Sequence, residues 1–273
     1  MSVRHLRKEE RKMTAPVRVR NVVLGQGRPK ICIPIVARDR EGLIQEAEEI
    51  KSLPADLVEW RADWYEEIGQ SRKAQMAVNE GLSLLREILG EKMPVIFTIR
   101  TRGEGGAISL PAQDYVLLIR TALECGQMDL VDLELFTAPE ETKALIDEAH
   151  DKGTKVILSS HDFKSTPPLD EMVSRLRTME EKGGDILKLA VTPWSPEDVL
   201  ALLEATVKMK DNPSGRPLIT MSMGGFGVVS RLAGEIFGSC MTFGCSQSQS
   251  APGQIEAVPL AQVLDTIHQA IGE

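Results

Sequence analysis

Lys188 lies in the middle of a short apolar run, 185–191, that follows Gly183-Gly184 and ends before Pro193. An apolar run bounded by turn residues is typical of a buried strand. Burying an unpaired ammonium group is costly, so Lys188 must either pair with an acid or lose its proton. A neutral, desolvated lysine is a nucleophile that forms imines with ketones and aldehydes. The alternative, a lysine that reaches solvent or an ion pair from the strand end, stays open on this segment alone.

Further polar side chains follow other strand-like runs of the chain. His161 follows the run that precedes the Lys188 strand, and it can move protons near pH 7. A lysine together with a histidine is what imine chemistry needs, and arginines suit a substrate that bears a carboxylate or several hydroxyls. The other candidates of this group are Glu59, Arg61, Arg100, Glu104, Arg231, Ser250 and Gln254.

Each of these residues also has a purely structural interpretation. Glu59 and Arg61 are two apart in an extended segment, so they point to the same side and could form an ion pair with each other. His161 could be a structural residue whose hydrogen bonds are satisfied, Glu104 could be solvated in a glycine-rich loop, and residues 250–254 could be a plain connection. Arg231 is expected in the first turn of a helix, where a cation opposes the helix dipole and therefore suggests a bound anion.

The elements that must position these residues alternate regularly along the chain. Apolar runs predict strands at 31–36, 57–60, 95–99, 130–133, 155–158, 186–191, 218–221 and 240–243. Helical patterns separate them at 42–51, 73–89, 112–125, 140–150, 169–181, 196–210, 228–237 and 260–270. Eight βα units of roughly 30 residues each predict a (β/α)₈ TIM barrel, whose chemistry sits at the C-terminal strand ends.

Two further features complete the predicted organisation. Residues 17–24 partly alternate and predict an N-terminal β-hairpin leading into the first core strand. A doubly wound open sheet is the runner-up, but the first βα turn, 37–42, lacks a G-x-G-x-x-G phosphate-binding pattern. We expect residues 1–16 to form a disordered tail and residues 17–273 to form one domain.

Composition narrows the class of protein. The chain has 273 residues, 42% of them hydrophobic, and a formal net charge of −8, which argues against a general nucleic-acid binder. The four cysteines show no metal-type C-x-x-C spacing, so we expect reduced thiols in a cytoplasmic protein and no metal site. No stretch approaches the roughly 18 apolar residues of a membrane span, and the charged first twelve residues do not resemble a secretory signal.

Several motifs together resemble the type I 3-dehydroquinate dehydratases, over nearly the whole chain from residue 17 onward. They are E-W-R-A-D at 59–63, T-I-R at 98–100, E-G-G at 104–106, D-L-E-L-F at 132–136, S-H-D-F at 160–163, K-L-A at 188–190, M-S-M-G at 221–224, S-R-L-A-G-E-I-F-G-S at 230–239, T-F-G at 242–244 and S-A-P-G-Q at 250–254. The resemblance implies a class I aldolase-type barrel, usually a homodimer, without a metal or organic cofactor. It also implies conversion of 3-dehydroquinate to 3-dehydroshikimate and water, in the shikimate route to aromatic amino acids.

The resemblance also implies roles for single residues. Lys188 matches the Schiff-base lysine, His161 the general acid and base, and Glu104 the carboxylate that orients the histidine. Arg231 matches the arginine that holds the substrate carboxylate. The remaining matches are Glu59, Arg61 and Arg100 to residues on the ring hydroxyls, and Ser250 and Gln254 to a loop that closes over the substrate.

Two positions depart from the family pattern, and two other functions compete. Pro34 stands where many relatives carry a serine, and Gln249 stands where small residues are common.

The same barrel and lysine could catalyse an aldol cleavage, although such aldolases usually bind a phosphate near strands 7 and 8. A catalytically dead binding barrel is the other alternative, but it would be expected to have lost Lys188 or His161.

Overall fold

The computed structural model describes residues 15–70, 73–210, 215–246 and 250–272. Its strands are β1 Val17–Val19, β2 Val22–Leu24, β3 Lys30–Ile35, β4 Leu57–Arg61, β5 Val95–Thr98, β6 Leu130–Glu134, β7 Lys155–Asp162, β8 Ile186–Val191, β9 Leu218–Ser222, β10 Met241–Cys245 and β11 Ile255–Glu256. Its α-helices are α1 Arg40–Ile50, α2 Ala74–Leu89, α3 Ala112–Cys125, α4 Thr142–Asp151, α5 Leu169–Lys182, α6 Pro196–Lys210, α7 Val228–Leu232, α8 Gly234–Phe237 and α9 Ala257–Gly272.

Strands β3 to β9 pair in parallel in chain order, and β10 pairs with β3. A parallel bridge between Leu218 and Ser239, with a 2.7 Å hydrogen bond from the Cys240 amide to the Leu218 carbonyl, joins β9 to the start of β10 and closes the ring. The predicted (β/α)₈ barrel is therefore confirmed, and all eight barrel strands fall where they were expected.

Two details differ from the sequence prediction. The helix expected at 228–237 is divided at Ala233 into the short helices α7 and α8. The strand β11 was not expected; it pairs with Gly244 and Cys245, the last two residues of β10. The pairing of β10 with β3 stops at Phe243 and Cys32. Two residues further along β3 stands Pro34, which has no amide hydrogen to donate to a ladder.

Local signals fix the ends of several helices. The Asp39 side chain accepts a hydrogen bond from the Gly42 amide at the start of α1. Helices α3 and α5 end at Gly126 and Gly183, with φ of 67° and 99°, a backbone region that glycine enters at no steric cost. These turns lead from α3 into β6 and from α5 into β8.

The predicted N-terminal hairpin, β1–β2, covers the opposite rim. Its apolar side chains, Val17, Val19, Val22 and Leu24, pack against the interior residues at the beginnings of the barrel strands. Arg20, at the hairpin turn, binds Asp129 at 2.6 Å and Glu91 at 2.9 Å, and so fixes the hairpin to the segments before β5 and β6. The expected tail, 1–16, lies outside the described residues except for 15 and 16.

Interior side chains change character along the barrel axis. Near the hairpin they are apolar and include Leu57, Ile96, Leu130, Ile157 and Ile186. One pleat further on they are polar and buried: Glu59, Thr98, Asp132, Ser159 and Lys188. This change follows from the two-residue period of the strands, which returns every second side chain to the interior. No helix in the described ranges combines the length and apolarity needed to cross a membrane.

Candidate active site

Lys188 projects from β8 into the barrel and is 4% exposed. Its Nζ lies 2.8 Å from Asp132 Oδ2 on β6, 3.5 Å from Glu59 Oε1 on β4 and 4.6 Å from the ring centroid of Phe243. Of the two states expected for a buried lysine, the structure therefore presents the one paired with acids. Burial alone would raise the pKa of Asp132, but the charges of Arg100 and Lys188 outweigh it and hold that pKa well below its usual value.

His161 and Glu104 form a second buried pair beside Lys188. The His161 Nδ1 lies 2.9 Å from Glu104 Oε2, which also accepts the His161 backbone amide at 3.1 Å. An ionised Glu104 accepts from Nδ1–H and leaves the Nε2 lone pair available as a base. Burial lowers the pKa of His161 well below its usual value, and the charges of Arg100 and Lys188 lower it further. Burial also raises the pKa of Glu104 to about 8.

The glycines after Glu104 allow the loop to bring this carboxylate to the histidine. Gly105 has a φ of 83°, and a Cβ there would lie 2.1 Å from the ring of Phe163. A Cβ on Gly106 would lie 1.9 Å from the Arg100 carbonyl oxygen. Both positions therefore require glycine, which explains the E-G-G motif physically.

Arg100 joins the two pairs. Its Nη2 lies 2.8 Å from Asp132 Oδ1, and its Nη1 lies 3.0 Å from Glu134 Oε1 and 3.6 Å from Glu104 Oε2. The guanidinium is thus surrounded by three carboxylates, and their charges raise the pKa of Arg100 well above its usual value despite the opposing effect of burial. Sequence reasoning did not assign roles to Asp132 or Glu134. Their positions, two apart at the end of β6, were the signal that could have done so.

Arg61 forms its ion pair with Asp63 and not with Glu59. Its Nε and Nη2 bind the two carboxylate oxygens of Asp63, each at 2.8 Å. Glu59 instead accepts the Thr98 hydroxyl at 2.9 Å and faces Lys188. The alternative of a Glu59–Arg61 ion pair is therefore wrong, because Asp63 satisfies the arginine and leaves Glu59 to the lysine.

Arg231 differs from the other two arginines of the site. It is 2% exposed, and no carboxylate lies within 4 Å of its guanidinium among the residues that the structure describes. Its Nη2 donates to the Pro252 carbonyl at 3.1 Å, and its Nε has no hydrogen-bond partner. Burial lowers the pKa of Arg231 to about 10. Arg231 falls in the last turn of the five-residue helix α7 and not in the first turn of a longer helix as expected, so the helix dipole does not explain its buried charge.

The segment 250–254 lies over the pocket beside Arg231. The Ser250 amide donates to Gln254 Oε1 at 2.8 Å, and Gln254 Nε2 donates to the Ser250 hydroxyl at 2.9 Å. The Gly224 amide donates to the Pro252 carbonyl at 3.1 Å and attaches the segment to the loop after β9. Gln249, one of the two departures from the family pattern, lies outside the described residues.

All nine residues singled out from the sequence line one pocket at the C-terminal ends of the strands. They are Glu59, Arg61, Arg100, Glu104, His161, Lys188, Arg231, Ser250 and Gln254. Its apolar walls, Phe163, Met221, Met223 and Phe243, were not predicted, since large apolar residues in strands give no functional signal. Pro34, the other departure, is buried on β3 opposite Glu59 and is not among the residues that line the pocket.

The described residues contain no group of histidine, cysteine, aspartate and glutamate side chains arranged to hold a metal ion. All four cysteines are free thiols, and Cys32 and Cys240 are buried as expected. The chemistry available in the pocket is that of an amine, a histidine base and a set of charged hydrogen-bond donors and acceptors.

Comparison with known proteins agrees with this chemistry. The sequence profile of the type I 3-dehydroquinases matches residues 31–271. The 3-dehydroquinate dehydratase of Bacillus licheniformis is 45% identical over 253 residues, which cover 93% of this chain and 98% of that protein. The type I 3-dehydroquinate dehydratase of Clostridium difficile has a similar crystal structure, with a TM-score of 0.89, 44% identity and coverage of 94% of this chain and 100% of that one. A structure of the Geobacillus kaustophilus enzyme gives a TM-score of 0.88 at 38% identity, covering 93% and 96% of the two chains. The chain therefore belongs to the type I 3-dehydroquinase family.

Proposed function

We propose that this chain dehydrates 3-dehydroquinate to 3-dehydroshikimate through an imine on Lys188, with His161 as the general acid and base. The observation that carries the proposal is the joint placement, in one pocket, of a lysine in contact with carboxylates, a buried neutral histidine and an arginine without an acid. The similar Clostridium difficile enzyme was crystallised with covalent modified comenic acid, which is compatible with a reactive nucleophile in such a pocket.

Imine formation is the first chemical step. Lys188, once its ammonium proton has left, attacks the C3 ketone carbon, and the carbonyl oxygen departs as water while the C=N bond forms. The adjacent carboxylates of Asp132 and Glu59 stabilise the cationic imine that results. The protonated imine withdraws electrons from the neighbouring C2–H bond and makes that proton acidic.

Elimination follows at the histidine. His161 takes the C2 proton on Nε2, the electron pair moves toward the imine nitrogen, and an enamine forms. The resulting imidazolium then protonates the C1 hydroxyl, which leaves as water. Because one histidine serves both steps, the proton and the hydroxyl leave from the same side of the ring. Hydrolysis of the conjugated imine frees the product and the amine of Lys188.

The three arginines differ in whether an acid already pairs with them, and this difference supports the ligand proposed for each. Arg231 has no carboxylate partner in the described structure and so suits the carboxylate of the substrate. Arg61 and Arg100 are already neutralised by acids, which suits ring hydroxyls better than a second anion. Glu59 supplies an acceptor to the same hydroxyls, and Ser250 with Gln254 closes the pocket over the substrate.

Trapping with borohydride tests the proposal directly. The protein is incubated with 3-dehydroquinate, reduced, digested and analysed by mass spectrometry. We expect a reduced adduct on the peptide that contains Lys188, and Lys188→Ala should give neither adduct nor product. A fully active Lys188→Ala variant, or the lack of both adduct and enone absorbance with the native chain, would contradict the proposal. The second of these results would favour the alternative of an aldol cleavage.

Three further expectations belong to the proposal. Residues 17–273 act as one domain, the protein works in the cytoplasm, and two copies form a homodimer. Large apolar side chains on the outer helices support self-association, since Leu200, Val229 and Ile236 are 64%, 48% and 53% exposed. Sedimentation equilibrium at micromolar concentration distinguishes a dimer from a 30.0 kDa monomer.

A further inference from the structure

A buried hydroxyl lies between the acid partner of Lys188 and the central arginine. Ser159 on β7 is fully buried, and its Cα pairs with Glu134 on one side and with Lys188 on the other. Its Oγ accepts a hydrogen bond from Arg100 Nη1 at 3.1 Å and donates to Asp132 Oδ1 at 2.5 Å. Ser159 is therefore in direct contact with two charged groups of the site and beside the strand that carries the nucleophile.

The direction of these hydrogen bonds is fixed by chemistry. A guanidinium has only donors, so the Ser159 oxygen must be the acceptor toward Arg100. The single hydroxyl hydrogen is then available for one acceptor. Asp132 Oδ1 lies at 2.5 Å and the Leu133 carbonyl at 3.3 Å, so the carboxylate is the nearer acceptor, and its charge makes it the stronger one.

This arrangement gives different surroundings to the two oxygens of Asp132. Oδ1 accepts the hydrogen bond from the Ser159 hydroxyl and lies 2.8 Å from Arg100 Nη2 in an ion pair. Oδ2 is the oxygen that contacts Lys188 Nζ, also at 2.8 Å. A carboxylate fixed in this way presents one oxygen to the lysine, while its other oxygen accepts the Ser159 hydroxyl and faces the charge of Arg100.

We propose that Ser159 is a positioning residue for imine formation: its hydroxyl holds Asp132 so that the carboxylate contacts Lys188 through one oxygen and releases the amine for attack on the ketone. The inference rests on the proposed imine mechanism. Without the hydroxyl, only the charge of Arg100 still holds Oδ1, so the carboxylate can turn further toward Lys188 and hold its ammonium group more strongly. The other charged groups facing this region, Glu59, Arg100 and His161, remain in place.

The expected effect is on the rate of imine formation and not on substrate binding. A hydrogen bond to a charged group is worth a factor of roughly 10 to 100, so Ser159→Ala should slow single-turnover borohydride trapping by about that factor. KM should stay within about threefold of the native value, since Arg231, Ser250 and Gln254 are untouched.

The chain offers a matched control in the next residue. Ser160 is equally buried, but it points to the other face of β7 and has a single 3.4 Å contact with Arg175. Ser160→Ala should therefore trap at the native rate. Ser159→Cys keeps the size of the side chain but offers only a weak donor, so it should be slow as well. Circular dichroism and a thermal melt establish that each variant is folded.

The outcomes separate this inference from the proposed function. If the native chain and Ser160→Ala form the Lys188 adduct while Ser159→Ala and Ser159→Cys form it slowly, the inference stands. Trapping by Ser159→Ala at the native rate, native trapping by Ser159→Cys alone, or a raised KM with unchanged trapping would each overturn it and leave the imine mechanism intact. If Ser159→Ala does not fold, Ser159→Cys carries the test. A native chain that forms no adduct would instead refute the proposed function.

Discussion

The buried charge of Arg231 should make the folded protein less stable than a variant in which that charge is removed. Burial lowers the pKa of Arg231 from its usual value to about 10, and at about 1.36 kcal/mol for each pKa unit this corresponds to roughly 3 kcal/mol of unfavourable burial. Arg231→Met removes that charge and replaces it with a flexible apolar side chain. The lost hydrogen bond to the Pro252 carbonyl offsets about 1.5 kcal/mol of the gain. We therefore expect the free energy of unfolding to rise by about 2 kcal/mol at pH 7.

Chemical unfolding followed by circular dichroism measures this change, and a thermal melt should show a rise of roughly 4–8 °C. Because the folded-state pKa is lowered, the penalty is constant while the pH stays below about 10 and shrinks only as the pH rises from there toward the usual pKa of arginine. Activity should change in the opposite direction. Loss of one charge-assisted contact with the substrate carboxylate should raise KM by roughly 10- to 100-fold.

Arg61→Met is the matched comparison. Arg61 is equally enclosed but binds both oxygens of Asp63, so its removal leaves a buried carboxylate without its cation. Breaking such a pair costs about 3–5 kcal/mol, and the amides of Arg100 and Ala107 on Asp63 should keep the loss near the lower value. If Arg231→Met destabilises the protein by more than about 1 kcal/mol, or if both variants change stability alike, the reasoning about the unpaired guanidinium is refuted.

Three other predictions concern the base and the closing segment. His161→Ala should still form the borohydride-trapped adduct but turn over roughly 10²- to 10⁴-fold more slowly, and loss of the adduct itself would show a different role. The kcat/KM should rise with pH up to about 8, because burial raises the pKa of Glu104 to about 8 and the ionised carboxylate orients His161. Glu104→Gln should lose this rise. A pH profile that the substitution leaves unchanged would count against the role assigned to Glu104. Gly253→Ala should raise KM by roughly tenfold or more, since the φ of Gly253 is 77° and a Cβ there would lie 2.6 Å from the Gly224 carbonyl oxygen. A Cβ at Gly225 meets nothing within 4 Å, so Gly225→Ala should behave as the native enzyme. Equal KM values for the two variants would exclude the backbone contact as the support of the closing segment.

Much of the barrel could be predicted because its signals are local. A strand buried on both faces is a continuous apolar run, and a helix after it ends at a glycine such as Gly126 or Gly183. The division of the helix at Ala233 and the short strand β11 could not be predicted, because they depend on which neighbours the chain meets after it has folded. The place of Arg231 within its helix was missed for the same reason.

The candidate site was predictable as a set of residues but not as a set of contacts. A place within or at the end of a barrel strand brought Lys188 and His161 to one pocket, and that rule needs no coordinates. Which acid binds which base depends on the stagger between neighbouring strands, so the pairing of Lys188 with Asp132 and of Arg61 with Asp63 became visible only in three dimensions. Ser159 gave no signal, since a serine in an apolar strand is ordinary until its neighbours are known.

The hairpin β1–β2 has a practical consequence for handling the protein. It blocks the rim opposite the pocket, and residue 15 lies there as well, with its amide bonded to the Gly215 carbonyl just before β9. A purification handle or a surface anchor that replaces residues 1–14 would therefore be attached at the rim opposite the mouth through which substrate enters. An enzyme immobilised by that end should keep its pocket open to the solution.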